Sequence, residues 1–319
     1  MIHRTAMSLA LALAFAQTPA SAEPTPVASP EFQTLGTGGG PIPHPTRAQP
    51  ANLVRFAGKA ILVDAGDGAT SQLGRAGVPL ETVEAVIVSH LHFDHAGGLF
   101  ALLSRRYQML VPGPLVIYGP PGTKGMVASL LSAMRPALSA WSSLRAGVPL
   151  ESTVAVTEIH DGWRGQIAGV AVTAATNTHY AALPESAGEV RQNTYALRFD
   201  AGGRSFVYTG DTGPSAAVEK LAKGVDVLFA EVMDPALAID RLMATRPDVP
   251  AAALAVVEDH YRREHLSPET VAAMARTAGV KALVLTHNGL PKEAEPAAGA
   301  TIRAGYKGKV TFAKDLDRF

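Results

Sequence analysis

Between His90 and His95, in the stretch SHLHFDHAG, three of the ten histidines of a 319-residue chain stand together with Asp94. The buried-looking strand EAVIVS runs directly into His90, and alternate residues of an extended backbone point to one side. His90 and His92 could therefore share one metal ion. Asp94 and His95 follow after the chain turns and could face a second ion roughly 3.5–4 Å away, the spacing of a paired metal site. Such a site needs further ligands. Three candidates each stand just past a predicted strand: His179 in ATNTHY, Asp211 in VYTGDTG and His287 in LVLTHNG. Ligands at strand ends on one edge of a sheet converge on one place. The chain has no cysteine, so any such site must be built from imidazole and carboxylate, a donor set that accepts zinc, manganese, iron or cobalt.

The elements that would position these residues follow from the apolar pattern. NLVRF and KAILVDAG read as a hairpin, ATSQLGRAG as a short helix and EAVIVS as a buried strand. GGLFALLSRRY reads as a helix, PLVIYG as a strand, and residues 123–145 as a helix. A second strand run then follows: VAVTEI, IAGVAVTAAT and TYALRFDAGGRSFVYTG, the last with AGG as its tight turn. The final third is mostly helical, interrupted by the strands VDVLFAEV and KALVLT. Two β-rich runs, each followed by helices, imply a layered α/β sandwich with two sheets inside and helices outside.

At this level the chain resembles the metallo-β-lactamase fold family. HLHFDH matches the HxHxDH signature, and GTGGG, LVDAGDG, THY, YTGDTG, EHLSPE and LTH fall in the order of its ribonuclease Z-like branch, from about Gln33 to the C-terminus. The resemblance implies a four-layer αβ/βα sandwich and two divalent metal ions, zinc being expected. One ion would be held by His90, His92 and His179 and the other by Asp94, His95 and His287, with Asp211 bridging both. It further implies a hydrolase whose nucleophile is a hydroxide bridging the metals, oriented by Asp94. His265, in REHLSPET beside a helix start capped by Ser267, would contact the ester anion or protonate the leaving group, with help from Glu264. His44 is a candidate lining residue, while His160 and His260 show no partner pattern and read as surface residues.

Composition and the N-terminus bear on the substrate. Residues 1–22 combine Arg4, the apolar run SLALALAFA and a small-x-small site, as in an export signal. Residues 23–32 then read as a Pro-rich spacer and 33–319 as one hydrolase domain, placed in the periplasm or secreted, with no membrane anchor. Without Arg4, 27 basic residues face 28 acidic ones, and no basic stripe of the kind that neutralises phosphates is visible. The basic, Gly-rich arm with which ribonuclease Z grips transfer RNA is not seen between His95 and Asp211. These readings lead to the expectation of a small anionic ester as substrate and no nucleic-acid polymer. Among exported relatives the nearest resemblance is to zinc-dependent arylsulfatases, with Arg47, Arg191 and Lys292 as candidate cations around a sulfate ester. The alternatives are a phosphodiesterase on small or cyclic nucleotide esters, then a lactonase or β-lactamase, and outside catalysis a periplasmic metal-binding protein. Ala-rich helices in the last third offer a face for a homodimer. GPPGTKG at 119–125 lacks the Gly-Lys-Ser/Thr order of a nucleotide-binding loop, and no GxSxG elbow supports a serine hydrolase.

Overall fold

A computed structural model describes residues 29–139, 148–181 and 193–319. The expected export signal, most of the spacer, the end of the helix expected over 123–145, and Arg191 lie outside the described residues. Among the described residues no helix is long and apolar enough to cross a membrane.

The first sheet runs in chain order through β1 (Glu31–Gly36), β2 (Ala51–Phe56), β3 (Lys59–Ala65), β4 (Val83–Ile87), β5 (Leu115–Gly119) and β6 (Val154–Glu158). Its first three strands are antiparallel and the rest parallel. The second sheet runs through β7 (Arg164–Ile167), β8 (Val170–Thr176), β9 (Tyr195–Ala201), β10 (Arg204–Tyr208), β11 (Val227–Val232), β12 (Ala282–Asn288) and β13 (Lys309–Phe312). It too changes from antiparallel to parallel, at β10. Helices α1 (Ala69–Arg75), α2 (Phe93–Ala96), α3 (Leu99–Gln108) and α4 (Thr123–Ser139) belong to the first half. The second half carries α5 (Ala216–Leu221), α6 (Pro235–Thr245), α7 (Ala251–Glu264), α8 (Pro268–Ala278) and α9 (Glu295–Gly305).

Successive residues of the central strands enter different cores. Ile61 and Val63 point between the sheets, where they join Phe32, Val54 and Ile87 against Phe199, Phe206, Tyr208 and Phe229. Leu62 points the other way, with Val86 and Val88, onto Leu73 of α1, Leu99 and Leu102 of α3 and Leu131 of α4. A third core joins Val207, Leu228, Leu283 and Leu285 to Val218 of α5, Val271 and Met274 of α8 and Ile302 of α9. Strands covered on both faces need apolar side chains at every position, which is why AILV and AVIV are uninterrupted. The result is the expected four-layer αβ/βα sandwich.

Strands β1 and β13 were not expected from the pattern, and β1 takes in Glu31 and Phe32 from the end of the expected spacer. Its polar residues are satisfied by the far end of the chain: Gln33 Nε2 donates to the Leu316 carbonyl at 3.1 Å and Thr34 Oγ1 to that of Lys314 at 2.7 Å. A strand completed by residues some 280 positions away carries no local alternation. VAVTEI, expected to open the second strand run, instead closes the first sheet as β6.

Two glycines let the ends of β3 and the His-rich turn meet. A Cβ on Gly66 would lie 2.1 Å from the Asp94 carbonyl oxygen, and one on Gly98 2.2 Å from that of Gly66. Gly98 N donates to the Ala65 carbonyl at 2.8 Å, closing the contact. Gly66→Ala is therefore expected to destabilise the fold by about 1–3 kcal/mol in urea denaturation and to lower the metal bound per chain. Wild-type values of both would show that the turn does not depend on this approach.

Candidate metal centre

The motif is folded around one buried carboxylate. Asp64, fully buried at the end of β3 with φ 58°, accepts from Ser89 N at 2.7 Å, Ser89 Oγ at 2.9 Å, His95 Nδ1 at 2.8 Å and Tyr208 Oη at 2.8 Å. Ser89 is the residue on which β4 hands over to His90. His92, with φ −60° and ψ 149°, caps α2, whose single turn carries Asp94 and His95. The rings of His90 and His92 lie side by side, their centroids 4.8 Å apart, and the turn brings Asp94 and His95 to a second group.

Because Ser89 Oγ gives its proton to Asp64, its contact of 3.0 Å with His90 Nδ1 is one in which the ring donates. His179, just beyond β8, donates from Nδ1 to the Glu264 carbonyl at 3.0 Å. Both tautomers leave Nε2 as a lone pair. These Nε2 atoms each lie 3.1 Å from His92 Nδ1. Burial first, and the crowding of neighbouring imidazoles after it, holds the pKa of His90 and His179 well below the usual histidine range, and burial lowers His92 as well. Nitrogens about 2.0–2.1 Å from a shared ion stand roughly 2.9–3.4 Å apart. The three neutral rings thus have the spacing of ligands on one cation.

The second group is Asp94, His95, Asp211 and His287. His287 Nε2 lies 3.4 Å from Asp94 Oδ2 and 3.3 Å from Asp211 Oδ2, and His95 Nε2 lies 3.6 Å from Asp94 Oδ2 and 3.2 Å from Asp211 Oδ1. Asp211 Oδ2 also reaches toward the first group, at 4.0 Å from His90 Nε2 and 3.9 Å from His179 Nε2. His95 Nε2 and Asp211 Oδ1 are buried without a hydrogen bond, a condition that a bound cation would relieve. Burial opposes a charge on His287, but the Asp211 carboxylate and the Asp94 hydrogen bond override it and push the ring up to about 9. His95 is raised in the same way against burial, by Asp211, Asp94 and Asp64. The neighbouring imidazoles hold Asp94 and Asp211 below the usual carboxylate range, again against burial. The donor set therefore fits divalent metal.

Around the centre lies a cavity of about 440 Å³ reached by Asp211, His92 and His265. His265 Nδ1 is 2.7 Å from Glu231 Oε2. Burial lowers His265 to about 4 and, with the Asp211 charge, raises Glu231 well above the usual carboxylate range. Both shifts disfavour charge on the pair.

The seven expected metal ligands are brought together with His265. His44 is not among the cavity residues; its Nδ1 accepts from Thr46 N at 3.2 Å. Arg47 is paired with Glu295, and Lys292 is exposed away from the cavity. His160 is exposed as expected. His260 is not a surface residue: its ring is half-buried against His179 and His265, with Nδ1 on the Glu264 carboxylate. Glu264 is buried and bonds His260 and, through its carbonyl, His179; its part is to hold those rings. Asp64, Tyr208 and Glu231 were not singled out from sequence. For Glu231 a signal existed, since a lone carboxylate inside VLFAEV must be buried.

Residues 59–288 match the family described as Beta-lactamase superfamily domain, and the chain belongs to that superfamily. Its curated relatives include the ribonuclease Z of Mycobacterium avium (strain 104), 34% identical over 293 residues that span 90% of this chain and 97% of that protein. Among solved structures the fold is similar to that of the metallo-beta-lactamase fold protein YhfI from Bacillus subtilis, with TM-score 0.65 and 19% identity over 91% of this chain and 98% of that one. It is also similar to short-form human tRNase Z, with TM-score 0.59 and 21% identity over 91% of this chain and 98% of that one. The expectation of an exported arylsulfatase is corrected by these relatives, as is the expectation that no nucleic-acid polymer is involved. The ligand motifs report metal geometry, which different ester hydrolases share, and so did not separate sulfate from phosphate. Near-zero net charge and the lack of a basic arm were also poor discriminators, because a relative named ribonuclease Z is matched over nearly its whole length.

Two outcomes follow for the centre. Asp64→Asn, which loses the acceptor on His95 Nδ1, is expected to weaken metal binding by roughly 10- to 100-fold, read by titration with a competing chelator; unchanged affinity would remove Asp64 from the site. Metal takes neutral imidazole, so at pH 7 uptake must displace the proton on His287, and affinity should rise with pH to about 9. Calorimetry in buffers of different ionisation enthalpy should register that release, and its absence would contradict a charged His287. Without metal, this raised pKa contributes stability that is full below the unfolded value of about 6.5 and is lost as pH rises through about 9.

Proposed function

We propose that this chain is a metal-dependent phosphodiester hydrolase acting on RNA. The single observation that carries the reading is the convergence of the two His/Asp groups on Asp211, in a cavity that His265, backed by Glu231, also lines. The relatives named ribonuclease Z supply the substrate class. In this reading His90, His92 and His179 would hold one divalent ion and Asp94, His95 and His287 a second, with Asp211 facing both groups. The bound ions would supply Lewis acidity and a nucleophilic water at neutral pH.

The chain's own groups do the remaining work. Asp94, held as a carboxylate by His95 and His287, accepts a proton or hydrogen bond from the attacking water. Asp64, through His95 Nδ1, keeps the second ligand group oriented. His265 carries Glu231 on Nδ1, which leaves Nε2 to serve the departing oxygen. As Nε2 gives its proton to the leaving group, Nδ1 takes one from Glu231, so the ring need not carry a charge in a buried cavity.

This assignment makes the importance of His265 depend on the leaving group. A ribose hydroxylate needs a proton to depart, whereas 4-nitrophenolate leaves without one. With metal-loaded protein, His265→Ala should lower kcat on RNA by roughly 10²- to 10⁴-fold and affect bis(4-nitrophenyl) phosphate at least tenfold less, with metal content preserved. Equal losses on both substrates would show that His265 acts otherwise than as the acid. Failure of the wild type to cleave either substrate would overturn the phosphodiester reading.

A further inference from the structure

Phe93 stands between His92 and Asp94, yet its own side chain is 91% exposed, more than any other large apolar side chain exposed among the described residues. No contact of the fold explains a phenyl ring at this position. Burying it would be favourable, and leaving it in water forgoes that gain. The backbone beneath it is held firmly: the Phe93 carbonyl accepts from Gly97 N at 2.7 Å, and the His92 carbonyl accepts from His95 N and Ala96 N at 3.0 Å each. The ring is thus a rigid aromatic with two side-chain torsions on a fixed base, the kind of group that gives contact area for little loss of freedom.

It also stands in the right place. The cavity of about 440 Å³ that holds Asp211 and His265 is lined by Phe93, with Pro41, Val257 and Tyr261 supplying further apolar wall. That volume lies in the range of small-molecule sites. A phosphodiester at Asp211 and His265 must extend its flanking group into the same space, toward an exposed ring. Every nucleobase has a π-face, and stacking on an aromatic side chain binds bases with little regard to sequence.

We infer that Phe93 is a specificity residue that stacks the nucleobase next to the scissile phosphate. The inference rests on the phosphodiester reading for its substrate, and its test is a binding measurement that needs no turnover. AMP and ribose 5-phosphate share sugar and phosphate and differ in the base. Calorimetric titration of both into metal-loaded wild-type protein should show AMP binding more tightly by roughly 5- to 150-fold. Phe93→Ala should bring that ratio close to one, and Phe93→Trp should retain it. No preference in the wild type, or the same ratio in Phe93→Ala, would overturn the inference. The two readings separate when hydrolysis of bis(4-nitrophenyl) phosphate is followed in the same preparations. Turnover without base discrimination sinks the stacking role alone, whereas base discrimination lost in Phe93→Ala supports it even where turnover fails and the phosphodiester reading falls.

Discussion

Two imidazole lone pairs, on His90 Nε2 and His179 Nε2, each held 3.1 Å from His92 Nδ1, are the constraint to which the rest of the structure answers. His92 Nδ1 carries at most one hydrogen to offer them, and burial holds the rings neutral, so a single hydrogen does not fully satisfy both lone pairs. A divalent cation does. The second ligand group has the opposite condition, with carboxylates that draw protons onto His95 and His287. One group is therefore ready for metal as it stands, and the other must give up a proton to receive it. Asp211, whose carboxylate faces both, is where the two conditions meet.

Holding such a cluster requires partners behind it, since each ring must offer one particular nitrogen. Asp64 does this for the first half of the molecule, tying Ser89 at the end of β4, His95 on α2 and Tyr208 on β10 to a single carboxylate. It spans both sheets, so the site is held across the sandwich as well as along either edge. The close approach of Gly66 to Asp94 and of Gly98 to Gly66 serves the same end by letting backbone replace side chain at the crossing. Apolar packing makes the layers, but hydrogen bonds at the ends of strands set the tautomers on which coordination depends.

Legibility from sequence followed the range of the interactions. The clustered His and Asp residues could be read because strand ends advertise themselves locally, by an apolar run followed at once by His or Asp. The central strands could be read because burial on both faces leaves a continuous apolar string. Strand β1 could not, since Gln33 and Thr34 are satisfied by Leu316 and Lys314, and no window of sequence contains both partners. His260 was misread for a related reason. Its meaning depends on Glu264 one turn later and on His179 in the loop after β8, and alone on an amphipathic helix it looks solvated. Substrate was the least legible property, because the motifs describe what binds the metal and are indifferent to the ester.

The end of α7 shows how the metal side and the cavity side are joined. Helices α6 and α7 bury little, with Tyr261 and Glu264 the buried residues of the pair. Elements with few buried contacts are the least firmly held parts of a fold. Yet Glu264, at the last position of this hairpin, does two jobs at once. Its carbonyl oxygen sets the tautomer of His179, and its carboxylate holds His260 at the cavity. The next residue, His265, turns to Glu231 in the central strand β11. Two imidazole–carboxylate pairs thus leave one short stretch of chain, one anchored on the weakly packed hairpin and one on the fully buried sheet. A displacement of the hairpin would disturb His260 and the orientation of His179 together, while His265 would keep its partner. The His265–Glu231 pair is insulated from the less firmly held side of the cavity by being bonded to the sheet.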